Sequence, residues 1–152
     1  MHLRYSFLFG TFFLLTLLLM NSARAAGTKQ YTNIGKAVWG AFECASLATK
    51  INNPGEHKRL YRYGYGQGQR LITELTREVI NSEEMSAVAP MAMMLLLDEA
   101  NSDFVLEKFY EAAQDSVLDE VYRTGDRLNS SDEQSAIART KFNVLNCKQI
   151  GA

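Results

Sequence analysis

The sequence predicts an all-α protein, a bundle of about five helices that follows a cleaved signal peptide. Two observations support this prediction. Apolar residues recur at steps of three and four along most of the chain after residue 32, which is the period of amphipathic helices. The intervening stretches hold turn and capping residues, such as Asn52-Asn53-Pro54-Gly55 and Asn101-Ser102-Asp103.

A secretory signal is predicted for residues 1–25. Arg4 precedes an apolar run at residues 5–20, and Ala23-Arg24-Ala25 supplies a small-x-small cleavage site. The run is shorter than the roughly 20 residues that cross a bilayer as a helix, so no stable membrane anchor is expected. An uncleaved anchor is the alternative. Residues 26–152 are expected to form a single helical domain that is exported, in a bacterium to the periplasm.

The charge balance argues against a nucleic-acid partner. The chain has 16 Lys and Arg against 17 Asp and Glu, and the predicted signal contains Arg4 and Arg24 but no acidic residue. Nucleic acids and anionic membranes bind basic surfaces, and the chain has no basic tract. The mature domain has one histidine, His57, and two cysteines, which are too few ligands for a zinc site. No metal and no cofactor are therefore expected.

The two cysteines, Cys44 and Cys147, are predicted to form a disulfide between the first and the last helix. Such a bridge would enclose about a hundred residues, and in the chain-entropy model its closure stabilises the fold by roughly 4 to 5 kcal/mol. Two unpaired thiols are the alternative. A redox C-x-x-C motif is absent.

Three details of the helices are predicted. Tyr61–Gly68 alternates with a period of two as well, so a strand or an irregular loop is an alternative there, but the helical pattern continues without a break to Ile80. The wholly apolar segment Met91–Leu97 is expected at the centre of the bundle. The final helix is expected to begin with a capping box of Ser131 and Gln134, and to bury its apolar residues. These are Ile137, Ala138, Phe142, Val144, Leu145 and Cys147.

The leading candidate binding site is a tyrosine patch on the second helix. Tyrosine and arginine are enriched in protein interfaces. The patch consists of Tyr61, Arg62, Tyr63, Tyr65 and Arg70. Gly64 and Gly68 are predicted to be close-packing positions where another backbone approaches, and internal packing of the tyrosines is the alternative. The Gly64, Gly66 and Gly68 series lacks dinucleotide-loop spacing, so a phosphate loop is rejected.

Acidic side chains offer a second candidate surface. Four acids at steps of four form one outer face of the helix that follows Asn101; they are Glu107, Glu111, Asp115 and Asp119. This row is either a solvated face or a docking surface for a basic partner. Glu43 is expected to be solvated and paired, and His57 to be exposed at a helix start, so neither residue is expected to be catalytic.

The cysteine-bearing segments resemble a known class of protein. Ala41-Phe42-Glu43-Cys44-Ala45-Ser46-Leu47-Ala48 and Lys141-Phe142-Asn143-Val144-Leu145-Asn146-Cys147 resemble small periplasmic helical proteins, among them the immunity proteins that neutralise type VI secretion amidase toxins. The resemblance implies an all-helical and often dimeric protein without catalysis, which blocks a cell-wall hydrolase by docking on it. No inhibitory residue is carried over from that family.

The function expected from these observations is a non-enzymatic periplasmic binding protein, an inhibitor or an immunity protein that acts through a protein interface. A first alternative is a carrier of a small apolar ligand with a cavity lined by Met91, Met93 and Met94, although such residues also fill cores. A second alternative is a hydrolase that uses two carboxylates.

Overall fold

A computed structural model describes residues 33–77 and 102–152. The predicted signal peptide and the segment Met91–Leu97 lie outside these described residues. The described helices are α1 (residues 33–50), α2 (Pro54–Arg77), α3 (Ser102–Tyr122) and α4 (Ser131–Val144). A two-stranded antiparallel hairpin, β1 (Arg123–Thr124) and β2 (Arg127–Leu128), joins α3 to α4, and a 3-10 turn (Cys147–Gln149) follows α4. The prediction of an all-α bundle is confirmed.

The first two helices run antiparallel because residues 51–53 reverse the chain. Asn52 adopts a left-handed φ of 57°, which asparagine tolerates better than most residues. The side chain of Asn53 accepts a hydrogen bond of 3.2 Å from the backbone N–H of Glu56, and this bond caps the first turn of α2. Tyr61–Gly68 is fully helical within α2, in agreement with the prediction.

The core consists of two clusters of buried side chains. The first surrounds Cys44 and Cys147 and draws residues from all four helices, with Leu60 of α2, Leu118 of α3 and Phe142 of α4 among them. The second lies nearer the start of α1 and the start of α3, and it centres on Phe42 and Phe109. The Phe42 and Tyr110 rings meet edge to face at 5.5 Å between centroids, a favourable aromatic geometry.

Cys44 and Cys147 form a disulfide, with Cα atoms 5.5 Å apart and 103 residues apart in sequence. The predicted pairing is confirmed, but Cys147 lies in the 3-10 turn after α4 instead of within the helix. Asn146, with a left-handed φ of 52°, turns the chain back toward the core. The Arg59 guanidinium then donates hydrogen bonds to the carbonyl oxygens of Cys147, at 3.0 Å, and Ile150.

Gly64 and Gly68 lie where α2 meets its neighbours. A Cβ atom built at Gly64 would lie 2.8 Å from the ring of Phe42 and 3.2 Å from the Cβ of Ala41 on α1. A Cβ at Gly68 would collide with Leu106 on α3. Gly66 faces open space, with nothing within 4 Å. Glycine at the first two positions therefore allows close helix contact, as expected for a residue without a side chain.

The segment around α4 differs from the sequence prediction in two respects. The capping box is formed by Ser130 and Glu133, one residue earlier than predicted, because Ser130 is the residue with extended backbone (φ −64°, ψ 164°) before the first helical turn. The Gln134 side chain instead donates to the carbonyl oxygen of Asn129 at 2.8 Å.

Two side chains predicted to be buried are also exposed. Val144 is 71% exposed and Leu145 is 41% exposed. The reason is that α4 ends at Val144, so the helical stripe does not continue to Cys147.

Replacement of the interhelical glycine should destabilise the protein, and replacement of its exposed neighbour should not. We expect Gly64→Ala to lower the free energy of unfolding by about 1 to 3 kcal/mol, because the fully buried Phe42 ring would have to shift. The matched control Gly66→Ala should raise it by about 0.5 to 1 kcal/mol, because alanine favours helix and meets no neighbour. Urea unfolding of the oxidised protein measures both. A Gly64→Ala variant as stable as Gly66→Ala would contradict the close-packing role.

Candidate protein-binding cleft

The tyrosine patch does not form one surface in the folded protein. Tyr61 and Tyr65, one turn apart on α2, turn toward α3. Their rings stack at 6.1 Å, and Tyr61 meets Tyr110 edge to face at 5.1 Å. The Tyr65 hydroxyl donates a hydrogen bond to the carboxylate of Asp103. These two tyrosines therefore take part in helix packing, which was the alternative interpretation.

The other three members of the tyrosine patch point elsewhere. Arg62 and Arg70 are exposed on the outer side of α2. The half-buried Tyr63 lies against Gly151 near the end of the chain, so closely that a Cβ atom there would collide with its ring. The five residues of the tyrosine patch therefore do not share one surface of α2. Whether Arg62, Tyr63 or Arg70 contacts a partner stays a prediction.

Burial raises the pKa of Tyr61, and the negative charge of Glu107 adds to this effect. For Tyr65 the hydrogen bond to Asp103 is the main cause of a raised pKa. The Tyr65 hydroxyl therefore keeps the proton that it donates to Asp103, which suits a structural role between α2 and α3.

Two residues expected on the surface are partly buried instead. His57 is half-buried beneath α1, where its Nδ1 lies 3.1 Å from both the carbonyl oxygen of Ala45 and the hydroxyl of Thr49. Glu43 is also half-buried and accepts a hydrogen bond of 2.9 Å from the indole N–H of Trp39. Burial raises the pKa of Glu43, while Trp39 and the positive charge of Lys141 oppose the rise. The predictions of a solvated Glu43 and an exposed His57 are wrong.

A cleft lies between the C-terminal half of α3 and the hairpin. This cleft has a volume of about 500 Å³ and is open to solvent. Its lining residues are Gln114, Asp115, Leu118, Asp119, Tyr122, Arg123 and Leu128. Leu128 is 67% exposed and Tyr122 is 38% exposed, so the cleft presents apolar surface to solvent.

Asn129 holds the hairpin that forms one wall of the cleft. Its side chain is buried and donates a hydrogen bond of 2.9 Å to the carbonyl oxygen of Val121. Its side-chain oxygen accepts from the Thr124 hydroxyl at 2.9 Å, and its backbone N–H donates to the carbonyl oxygen of Tyr122 at 2.8 Å. These hydrogen bonds connect the end of α3 to the strand that contains Leu128. They therefore hold the backbone at the exposed leucine in place.

A second anchor joins the hairpin to α4. The Arg127 guanidinium donates two hydrogen bonds to the Glu133 carboxylate, at 2.8 and 3.0 Å. The backbone N–H of Ser130 donates to the same carboxylate at 2.8 Å. These contacts lower the pKa of Glu133 from its ordinary value of 4.5 to about 2, and the hydrogen bonds from Arg127 have the largest effect. The carboxylate therefore holds both the hairpin and the start of α4 while it is ionised.

Some charged residues of α3 take part in ion pairs, whereas the charged residues of the cleft, like Glu107, do not among the described residues. Glu111 pairs with Lys108 at 2.6 Å, and Glu120 pairs with Lys141. In the part of the chain that the structure describes, Asp115, Asp119 and Arg123 take part in no ion pair. The cleft thus combines apolar side chains with two acidic groups and one basic group that are available for an intermolecular contact.

The two carboxylates of the cleft have the same exposed setting. Carboxylate hydrolases need one acid in an apolar setting that keeps its proton, next to a second, ionised acid. Asp115 and Asp119 both lie exposed on one helix face, so nothing in their surroundings assigns them different roles. Within the described ranges, no group of three or more His, Cys, Asp or Glu side chains is arranged to hold a metal ion.

Sequence reasoning included Asp115 and Asp119 in the acidic row but missed Tyr122, Arg123 and Leu128. The sequence signal for the latter was weak, because strands of two residues leave no periodic pattern. None of the described helices has the length and apolar character needed to cross a membrane.

Acid should loosen the anchor between the hairpin and α4. Since the folded-state pKa of Glu133 is depressed, its stabilising effect is complete above pH 4.5 and is lost as the pH falls toward about 2. We expect the urea midpoint of Glu133→Gln to fall less over this interval than that of the original protein. The control Glu43→Gln removes a carboxyl whose pKa is raised, so its acid-induced loss should be equal or larger. Identical pH profiles for Glu133→Gln and the original protein would contradict this anchor.

Comparison with known proteins adds no relative. No family model, curated protein or solved structure matches this chain. The resemblance to amidase immunity proteins around Cys44 and Cys147 therefore stays an expectation.

Proposed function

We propose that this chain is a non-enzymatic, exported binding protein that docks another protein through the cleft between α3 and the hairpin. The observation that supports the proposal most directly is Leu128, an aliphatic side chain 67% exposed at the rim of a cleft of about 500 Å³. Burial of such a side chain on binding contributes about 1.5 to 3 kcal/mol. Tyr122 beside it belongs to a residue type that is enriched in interfaces.

The shape of the cleft favours a protein partner over a small ligand. Small-molecule sites enclose most of the ligand surface within a largely apolar cavity. This cleft is open and has charged groups at its rim, as the borders of protein interfaces do. The alternative of an apolar-ligand carrier depends on Met91, Met93 and Met94, which lie outside the described residues.

Export is proposed from two independent features. The N-terminal segment has the layout of a secretory signal. The Cys44–Cys147 disulfide is compatible with an oxidising compartment, where such bridges persist. Together they favour the periplasm as the site of action.

Within this class of function, we favour an inhibitor. The resemblance to immunity proteins implies a cell-wall hydrolase as the target and a protein that is often dimeric. An inhibitor needs a preformed surface more than a catalytic group, and the anchored hairpin supplies one. The alternative of a carboxylate hydrolase is less well supported, because Asp115 and Asp119 have the same exposed setting.

Removal of the exposed leucine should weaken partner binding. We expect oxidised protein immobilised on beads to capture a specific partner from periplasmic extract, and Leu128→Ser to reduce that capture by about tenfold or more, because each 1.4 kcal/mol of lost burial is tenfold in affinity. Mass spectrometry identifies and quantifies the bound protein.

The matched control is Val144→Ser, which replaces another exposed aliphatic residue outside the cleft. Val144→Ser should capture the same partner as the original chain. A third variant, Tyr63→Ala, tests the part of the tyrosine patch that does not pack between α2 and α3. Capture that survives Leu128→Ser but is lost with Tyr63→Ala would move the interface to α2 and overturn the proposal.

A further inference from the structure

We infer that a thiol–disulfide exchange protein closes and reopens the Cys44–Cys147 bridge by reacting at Cys147, and that Arg59 controls access to that sulfur. The part of the chain that must move is the terminal segment, residues 146–152. The exchange protein is defined by its chemistry, a reactive pair of cysteines. It is a second partner, independent of the one that docks at the cleft.

The closed structure leaves neither sulfur open to a reagent. Cys44 and Cys147 are both 0% exposed. Thiol–disulfide exchange requires direct contact between the attacking sulfur and the sulfur that it attacks. Exchange therefore needs an opening of the fold, and local opening of a small unit generally costs less free energy than global unfolding.

The terminal segment has few polar connections to the rest of the fold. Its backbone N–H groups donate within the segment or back to α4. Among the described residues, its hydrogen bonds to α1, α2 or α3 are the two that Arg59 donates, to the carbonyl oxygens of Cys147 and Ile150. Ile150 also packs against the first core cluster. Undocking of this segment would thus uncover the bridge without unfolding a helix.

Glu56 holds Arg59 in position for this contact. Its carboxylate accepts hydrogen bonds of 2.8 and 3.0 Å from the same guanidinium, from one turn earlier on α2. These hydrogen bonds are the main cause of a lowered pKa at Glu56, so the pair stays ionised. The planar guanidinium has enough N–H groups to serve a carboxylate and two carbonyl oxygens at once. Arg59 is therefore a positioning residue for the turn that carries Cys147.

Access differs between the two sulfurs once the segment has moved. A thiolate attacks along the axis of the S–S bond, from the side opposite the sulfur that leaves. Attack on Cys44 would have to come from within the first core cluster, because Cys44 lies in the middle of α1 among buried residues. Attack on Cys147 comes from the side of the terminal turn, where Lys148 and Gln149 are exposed. The geometry therefore favours Cys147.

The bridge opens when a thiolate of the exchange protein bonds to the Cys147 sulfur. The S–S bond breaks, its electron pair goes to the Cys44 sulfur, and that sulfur takes a proton from water. The second thiol of the exchange protein loses its proton to water and attacks the first, so that Cys147 leaves with the electron pair and takes up a proton. The chain gains two electrons and two protons, and the exchange protein becomes a disulfide. Closure is the reverse reaction, with the exchange protein as oxidant.

The test is the rate at which glutathione reduces the oxidised protein without denaturant, followed by mass spectrometry of alkylated thiols. We expect Arg59→Met to be reduced about tenfold faster or more, because hydrogen bonds from a charged donor hold the terminal segment. Arg59→Lys should lie between the two, since the ammonium keeps the charge but not the planar fork. The matched control Lys58→Met removes an exposed cation beside it on α2 and should change the rate by less than about twofold.

A further variant, Val105→Ala, separates local opening from global unfolding. Val105 is buried in the second core cluster, which draws its residues from α1, α2 and α3. Its truncation should lower the urea midpoint of unfolding but change the rate of reduction by less than about twofold. Acceleration by Val105→Ala equal to that by Arg59→Met would assign exchange to global unfolding and overturn the inference. Equal rates for Arg59→Met and the original protein would also overturn it.

The first adduct identifies the sulfur that is attacked. The reaction with glutathione is stopped by acid at low conversion, because thiols exchange only as thiolates. Free thiols are then alkylated, and the peptides are mapped by mass spectrometry. We expect glutathione on Cys147 and an alkylated Cys44. Glutathione on Cys44 in equal or greater amount, or no adduct at Cys147, overturns the assignment of Cys147.

Discussion

The disulfide between Cys44 and Cys147 is the constraint on which the rest of the fold depends. Both cysteines are fully buried, and they join the middle of α1 to the turn after α4 within the cluster that also holds Leu118 and Phe142. A closure over 103 residues removes much of the freedom of the unfolded chain. Because Leu118 also forms the base of the cleft, the bridged core and the candidate site share one support.

The cleft combines exposed apolar side chains with hydrogen bonds and an ion pair that hold its hairpin in place. A hairpin with strands of two residues is not stable alone. Here the side chain of Asn129 binds the end of α3, and the Arg127–Glu133 pair binds α4. Leu128 can therefore remain exposed without weakening the hairpin, because its position does not depend on its own burial. Such preorganisation lowers the entropic cost of binding a partner.

The sequence predicted the features that depend on the helical period of apolar residues and on the pairing of the two cysteines. It identified the all-helical class and the cysteine bridge. The separation of Tyr61 and Tyr65 from Tyr63 could also have been predicted, because residues four apart share a helix face and residues two apart do not. The exposure of Val144 and Leu128 could not, because it depends on where α4 ends and on how a short hairpin folds against α3, and neither leaves a periodic signal.

Hydrogen–deuterium exchange on the complex with the captured partner tests the central claim most directly, since it reports which backbone segments a partner covers. The account predicts slower exchange at residues 114–128 in the complex than in the unbound protein, and unchanged exchange along the outer face of α2 at residues 58–70. Slower exchange at residues 58–70 with no change at residues 114–128 would contradict the assignment of the cleft as the binding site.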